Sequence, residues 1–223
     1  MLPAGRLSFM FRRLKKSVRP EIPRKAVYRL SVYFRSLQKL KANGHQTVAS
    51  DALAKAAGVK PTQLRKDLAY FGQFGTRGLG YDVGQLADMI SDVLGTTSLQ
   101  PVVLVGVGNL GRALLSYRGF EKEGFEIIAA FDNDPAHRRG KTSAVAIYEL
   151  DNLAPLVRER NVKMAILTVP APVAQEVANL LVGCGITGIL NFAPLVLEVP
   201  ETVVVNNVNL AIELENLSYF VQR

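Results

Sequence analysis

The sequence predicts an α/β chain in two parts, a small basic helical part followed by a part built on a parallel sheet. Three observations predict it. An apolar run, Pro101-Val-Val-Leu-Val105, leads straight into Gly106-Val-Gly-Asn-Leu-Gly111, and a second run, Phe125–Phe131, ends in Asp132. Further apolar runs then alternate with helical periodicity as far as Val221. Charge is also divided: residues 1–80 carry 17 Lys/Arg against three acids, the remainder carry 10 against 16, and the chain totals +8. Strands buried on both faces read as continuous apolar runs, and strands alternating with helices build parallel sheets.

The glycine pattern is the strongest local signal. Glycines allow a tight turn, bring backbone N–H groups close to a pyrophosphate, and let the following helix pack tightly on the strand. Asp132 lies at the spacing expected of a carboxylate that bonds adenosine ribose hydroxyls. Strand, glycine turn, helix, strand and acid in that order define a Rossmann dinucleotide-binding unit. Arg138, Arg139 and Lys141 begin six residues past Asp132, and a carboxylate there repels a 2′-phosphate, so NAD is favoured over NADP.

Composition narrows the class. The 223 residues suit one large or two small domains, and 48% apolar content permits a real core. No apolar run approaches the ~20 residues of a membrane span. The single cysteine, Cys184, excludes a disulfide framework within the chain and suits a cytoplasmic location. The N-terminus lacks the apolar core and cleavage site of a signal peptide, and no metal site is expected. The concentration of positive charge in the first 80 residues suggests a polyanionic partner for that part alone.

In chain order, residues 1–20, basic and with little apolar periodicity, read either as a flexible arm or as an over-long translation start without function. Pro23 opens a helix whose apolar stripe is Val27, Leu30, Phe34, Leu37 and Leu40, and Asn43-Gly44 stops it. Ser50 is placed as the N-cap of a short helix ending at Gly58, and Pro61 suits the first turn of another. Two short helices joined so tightly make a helix-turn-helix. In the second helix Leu64, Leu68 and Phe71 face inward, while Thr62, Gln63, Lys66 and Tyr70 face out with Arg65 at the flank. Such side chains read base edges or grip phosphates in a major groove. The glycine-rich segment Phe71–Tyr81 reads as the wing of a winged helix, with Arg77 at its tip suited to a minor groove. Asp82 and Gln85 form a capping box before an inward stripe of Val83, Leu86, Ile90 and Leu94, and 95–100 is the linker.

Beyond the glycine turn, Ala113, Leu114 and Tyr117 are assigned to the first helix, and another helix is expected near Leu150–Arg160. The strand Met164–Thr168 is followed by Val169-Pro170. Strand C-terminal ends line the ligand crevice in this architecture, so Thr168, Val169 and Pro170 border the dinucleotide or form a simple turn. Strands Gly188–Phe192 and Thr202–Asn206 follow, then an amphipathic helix with Leu210, Leu214, Leu217 and Val221 on one face.

Arg65-Lys-Asp-Leu-Ala-Tyr-Phe-Gly72, Gly75-Thr-Arg-Gly-Leu-Gly-Tyr81, Gly106–Gly111, Ile166-Leu-Thr-Val-Pro170 and Gly185–Pro194 together resemble the Rex family. These are bacterial redox-sensing repressors that bind NADH. The resemblance runs from about Pro23 to Val221. It implies a homodimer whose C-terminal helix swaps onto the partner, with Gln63, Arg65 and Lys66 in the major groove of a palindromic operator and Arg77 on the wing. It also implies Tyr117 near the nicotinamide and Arg35 in an interdomain switch. Where the family usually has Val-Asp-Leu at the last helix, this chain has Val208-Asn209-Leu210, and Asn209 can hydrogen-bond Tyr117 or Arg35 but cannot form an ion pair. The expected parts are a basic arm (1–20), a winged-helix unit (21–95), a Rossmann unit (96–206) and a swapped helix (207–223).

Two other classes are weighed. An NAD-dependent dehydrogenase needs an acid/base beside the nicotinamide. The two histidines, His45 and His137, fall elsewhere in the pattern, which leaves a tyrosine or lysine. A CoA-binding ligase subunit shares the nucleotide fold but needs a phosphorylatable histidine in a later domain. Neither accounts for residues 21–81.

Overall fold

The computed structural model describes residues 22–75, 79–138 and 145–221, and within them the side chains of Pro135 and Arg138 are left undescribed. The basic arm, Arg77, Arg139 and Lys141 lie outside the described residues. The chain divides into two units, parting between Leu94 and Gly95.

The first unit contains α1 (Arg24–Ala42), β1 (Thr47–Val48), α2 (Ser50–Ala56), α3 (Pro61–Ala69), β2 (Tyr81–Asp82) and α4 (Val83–Leu94). Pro23 precedes α1, and Gly44 at φ +81° follows its end. The face that α1 buries is Ala26, Leu30, Tyr33 and Leu37. This turns the expected stripe by one residue: Val27 is 39% exposed, and Phe34 and Leu40 pack only at the margin. The stripe turns because Tyr33 goes inward with its hydroxyl satisfied, as described below. Ser50 is the first residue of α2 and makes no cap; Ala49 precedes the helix. Gly58 at φ +67° ends the turn after α2, and Pro61 opens α3. Asp82 Oδ1 accepts the Gln85 N–H at 2.8 Å, so the expected cap on α4 forms. The strand at the end of the glycine-rich segment pairs with β1, Val48 opposite Tyr81. A Cβ on Gly75 would lie 2.8 Å from the Gly80 carbonyl oxygen, so the ends of the segment close on each other.

One buried acid ties this unit together. Asp67, on the inner face of α3, is 1% exposed. It accepts from Arg29 Nε at 2.5 Å and Nη2 at 2.7 Å, from the Tyr33 hydroxyl at 2.7 Å, and from Gln63 Nε2 at 2.8 Å. Burial alone would raise its carboxyl, but the bonds from Arg29, Tyr33 and Gln63 outweigh burial and hold it below the ordinary 3.8. Burial and the Asp67 contact push the Tyr33 phenol well above its ordinary 10.0.

The second unit is a six-stranded parallel sheet in the order β5-β4-β3-β6-β7-β8. Its elements are β3 (Gln100–Val105), α5 (Asn109–Ser116), α6 (Gly119–Lys122), β4 (Phe125–Phe131), α7 (Pro135–Arg138), β5 (Ile147–Tyr148), α8 (Leu153–Glu159, after a 3₁₀ turn at Leu150–Asn152), β6 (Met164–Leu167), α9 (Ala171–Gly183), β7 (Gly188–Asn191), β8 (Val204–Asn207) and α10 (Leu210–Val221). Counted from β3, this order is the doubly wound one, with its reversal between β3 and β6. Both faces of β3 are buried: Val103 and Val105 pack with Leu153, Val157, Ala174 and Val177, and Val102 and Leu104 with Leu114, Leu115 and Phe120. That is why the strand reads as an unbroken apolar run. Asn191, wholly buried, donates to Leu195 O at 2.8 Å and Asn207 Oδ1 at 2.9 Å and accepts from Ala193 N–H at 2.9 Å. It joins the ends of β7 and β8 to the loop between them.

Removing Asp67 leaves a cation and two polar groups facing an apolar wall. Asp67→Ala is expected to lower unfolding free energy by about 3 kcal/mol. The lower end of the range for a broken buried pair applies because the Arg29 side chain is 25% exposed. Asp67 is depressed, so its contribution is present above about pH 4 and is lost as pH falls through its folded pKa; Tyr33 is raised, so its contribution holds below pH 10 and fades above it. Urea unfolding of both proteins, followed by circular dichroism across pH 2–7, checks this: the acid-side loss should be smaller in the variant.

Candidate functional site

The switch point between β3 and β6 opens into a cleft of about 850 Å³. Gly106, leaving β3 at φ +99°, lies so close to β6 that a Cβ would sit 2.7 Å from Thr168 O and 2.9 Å from Val169 Cγ1. The Thr168 hydroxyl donates to Gly106 O at 2.6 Å and so fastens the two strand ends together. A Cβ on Gly111 would overlap the Gly106 carbonyl oxygen, so only glycine lets α5 start this close to the strand. Gly108 is different: a Cβ there meets nothing within 4 Å, and its backbone lines the cleft. The loop thus offers bare backbone, and α5 points its N-terminus there, the arrangement that receives phosphate oxygens.

Asp132 lies beside this loop and lines the same cleft. Its Oδ2 accepts the Val107 N–H at 2.6 Å and contacts His137 Nδ1 at 3.0 Å, and its Oδ1 accepts the Asp134 N–H at 2.8 Å. Burial works to raise the carboxyl, but those bonds, Val107 first, hold it below its ordinary range and it is anionic at neutral pH. Arg112 braces the far side, donating from Nε to Val107 O at 3.2 Å and from Nη2 to His137 O at 3.4 Å.

The structure therefore gathers Gly106, Gly108, Asp132, Thr168, Val169 and Pro170 around one cleft. Val107 is buried behind the loop, Asn109 and Leu110 are exposed in the first turn of α5, and Gly111 is packed beneath it. Tyr117 does not ride the helix and does not line this cleft. It follows the last turn of α5, 59% exposed, where its ring lies over Gly119 and meets Phe120 edge-on at 5.1 Å. Sequence reasoning missed His137, beside Asp132, and Leu150, and it missed the part of the lining that α9 supplies, Val173, Glu176, Val177 and Leu180. The signal was the helix that begins directly after Pro170, whose residues at three- and four-residue spacing face the strand ends.

In the first unit, Arg65 and Lys66 are exposed on the outer face of α3, with Tyr70 half-buried just past its end. Gln63 is half-buried and turned toward Asp67. Arg35 is exposed on α1. In the second unit the Asn209 side-chain oxygen accepts the Ala211 N–H at 3.0 Å and the Ile212 N–H at 3.4 Å, so Asn209 is the N-cap of α10. Nothing on α10 is buried: Leu210, Leu214, Leu217 and Val221 are each more than half exposed, as are Ile212, Tyr219 and Phe220. Among the described residues no His/Cys/Asp/Glu group could hold a metal ion, and no helix is long and apolar enough to cross a membrane.

A helix-turn-helix with an exposed basic face, followed by a Rossmann unit with an acid at its second strand, is the plan of a ligand-responsive transcription regulator. Comparison with known proteins agrees in both parts. Residues 21–69 match the model "Putative DNA-binding protein N-terminus", and residues 97–195 match "CoA binding domain". A redox-sensing transcriptional repressor Rex of Carboxydothermus hydrogenoformans is 47% identical over 91% of this chain and 98% of its own. That of Streptomyces griseus is 46% identical over 91% of this chain and 80% of its own. A crystal structure of RSP in complex with β-NAD⁺ and operator DNA superposes with a TM-score of 0.84 at 34% identity, covering 90% of this chain and 92% of that one. RSP in complex with β-NADH gives a TM-score of 0.80 at 32% identity, over 90% of this chain and 94% of that one. The chain belongs to the Rex family of redox-sensing transcriptional repressors.

The glycines separate packing from ligand access. Gly111→Ala should lower the melting temperature of the second unit, since the new methyl must displace the Gly106 carbonyl. Gly108→Ala should melt with the parent, because its side chain enters open space. Differential scanning calorimetry of the two variants distinguishes these roles.

Proposed function

We propose that this repressor binds palindromic operator DNA through its first unit, holds NAD(H) in the cleft of its second, and leaves DNA when NADH binds. The observation that carries the ligand half is the anionic Asp132 held beside a glycine loop of bare backbone in one cleft. The loop and the α5 N-terminus suit a pyrophosphate, Asp132 suits ribose hydroxyls and disfavours a 2′-phosphate, and Val173, Val177 and Leu180 supply an apolar wall for adenine. Relatives point the same way: RSP has been crystallised with β-NAD⁺ and operator DNA, and with β-NADH. The protein is a regulator and not an enzyme; the dehydrogenase and ligase readings share only the nucleotide fold.

Gln63, Arg65, Lys66 and Tyr70 form the DNA face, with Arg77 on the wing. The working parts are residues 21–95, 96–206 and 207–223, acting in the cytoplasm as a homodimer in which α10 of each copy is covered by the other. Its exposed leucines and aromatics support that assembly, because a helix apolar on most sides is stable only when covered. The nicotinamide is neutral in NADH and cationic in NAD⁺, so an apolar setting near Tyr117 favours the reduced form, since desolvating a charge is costly. Arg35, Tyr117 and Asn209 take the role of the switch. By linkage, operator must weaken NADH binding by the factor through which NADH weakens operator binding.

An electrophoretic shift assay with NADH and NAD⁺ titrated separately tests this reading; release by NADH at much lower concentration than by NAD⁺ is expected, and indifference to both would overturn it. Operator affinity should also fall steeply between 50 and 200 mM salt, as phosphate contacts require. Arg65→Ala or Lys66→Ala should abolish the shift and leave NADH affinity nearly unchanged. Asp132→Ala should cost about 1.5–3 kcal/mol of NADH binding by calorimetry, the range for hydrogen bonds to a charged group.

A further inference from the structure

Gln63 lies on α3 but is not simply presented to solvent. Its Nε2 donates to Asp67 Oδ1 at 2.8 Å, four residues on along the same helix. Asp67 is 1% exposed and is itself fixed by Arg29 and the Tyr33 hydroxyl, both reaching it from α1. An ionised carboxylate only accepts hydrogen bonds, so the amide nitrogen of Gln63 must face Asp67 and the amide cannot flip. Its Oε1 has no partner among the described residues.

We propose that Asp67 is a positioning residue for base recognition: it locks the Gln63 carboxamide with the oxygen outward, so that Gln63 reads an adenine by accepting from its N6 amine. This rests on the DNA-binding reading above and names the base that one of its contacts selects. An amide nitrogen carries two hydrogens, and only one is spent on Asp67. The other stays beside the outward oxygen, and an oxygen and an N–H side by side match the N6 donor and N7 acceptor of adenine in the major groove. Guanine offers two acceptors there, so one would face the Gln63 oxygen with no hydrogen between them. The Arg29–Asp67 pair makes this orientation rigid, because α1 holds the carboxylate from the side opposite to the DNA face.

The test uses the full chain and a palindromic duplex that the protein has itself selected from random sequence. Affinity is measured for wild type and Gln63→Ala across single base-pair substitutions, and then for duplexes in which each adenine in turn is replaced by purine, which lacks the N6 amine. At one adenine per half-site, the purine duplex is expected to bind wild type about tenfold more weakly and Gln63→Ala less than twofold more weakly. Asp67→Asn, scored only if it melts as a folded protein, should reduce the purine penalty to that of Gln63→Ala while affinity for unrelated duplex stays within about twofold. A merely structural Asp67 would weaken all duplexes together and leave the penalty intact, which overturns the proposal. So does a wild type that tolerates purine at every adenine, a result that needs no variant to fold. A wild type that selects no sequence at all overturns the DNA-binding reading together with this one.

Discussion

The second unit depends on a single close approach, the backbone of α5 against the carbonyl that ends β3. Gly111 is buried against Gly106, and no other residue fits without moving one of them. That contact sets where α5 begins, and with it the position of the bare backbone at Gly108. Thr168 bonds the same Gly106 carbonyl, so one oxygen registers the helix, β3 and β6 at once. The opening between β3 and β6 follows from strand order, but its shape follows from this carbonyl.

Two acids do comparable work in the two units. Asp67 and Asp132 are each held below the ordinary carboxylate range by hydrogen bonds that outweigh the cost of burial. Their partners differ in kind. Asp67 gathers side chains from two helices, so it fixes one helix on another and holds the Gln63 amide in one orientation. Asp132 gathers the backbone N–H groups of Val107 and Asp134, so it fixes a loop beside the strand that carries it. With about four lone-pair directions on a carboxylate, Asp132 keeps room for a ligand, whereas Asp67 accepts four bonds and is saturated.

Most of the architecture was legible because its physical causes are local. Two-sided burial makes β3 a continuous apolar run, glycine and proline mark Gly44, Gly58 and Pro61, and Asp82 caps α4 as its spacing requires. What escaped depends on the third dimension. The strand Ile147–Tyr148 is two residues long and among the described residues pairs with β4 alone, too brief to leave a period in sequence. Val173, Val177 and Leu180 have the spacing of any amphipathic helix, and nothing local tells a cleft wall from a core. In sequence Asp67 is only one of three acids in a basic region, since its partner Arg29 is 38 residues away. That same partnership drew Tyr33 inward and turned the buried face of α1.

The cap on α10 has a consequence of its own. A helix that begins at a carboxylate draws part of its stability from charge against the helix dipole, a contribution of about 0.3–1 kcal/mol that protons titrate away and salt screens. Asn209 begins α10 with an amide oxygen, which does neither. The cap of α10 is therefore the same in acid and at neutrality, and the charge that its first turn sets against the dipole is left to Glu213.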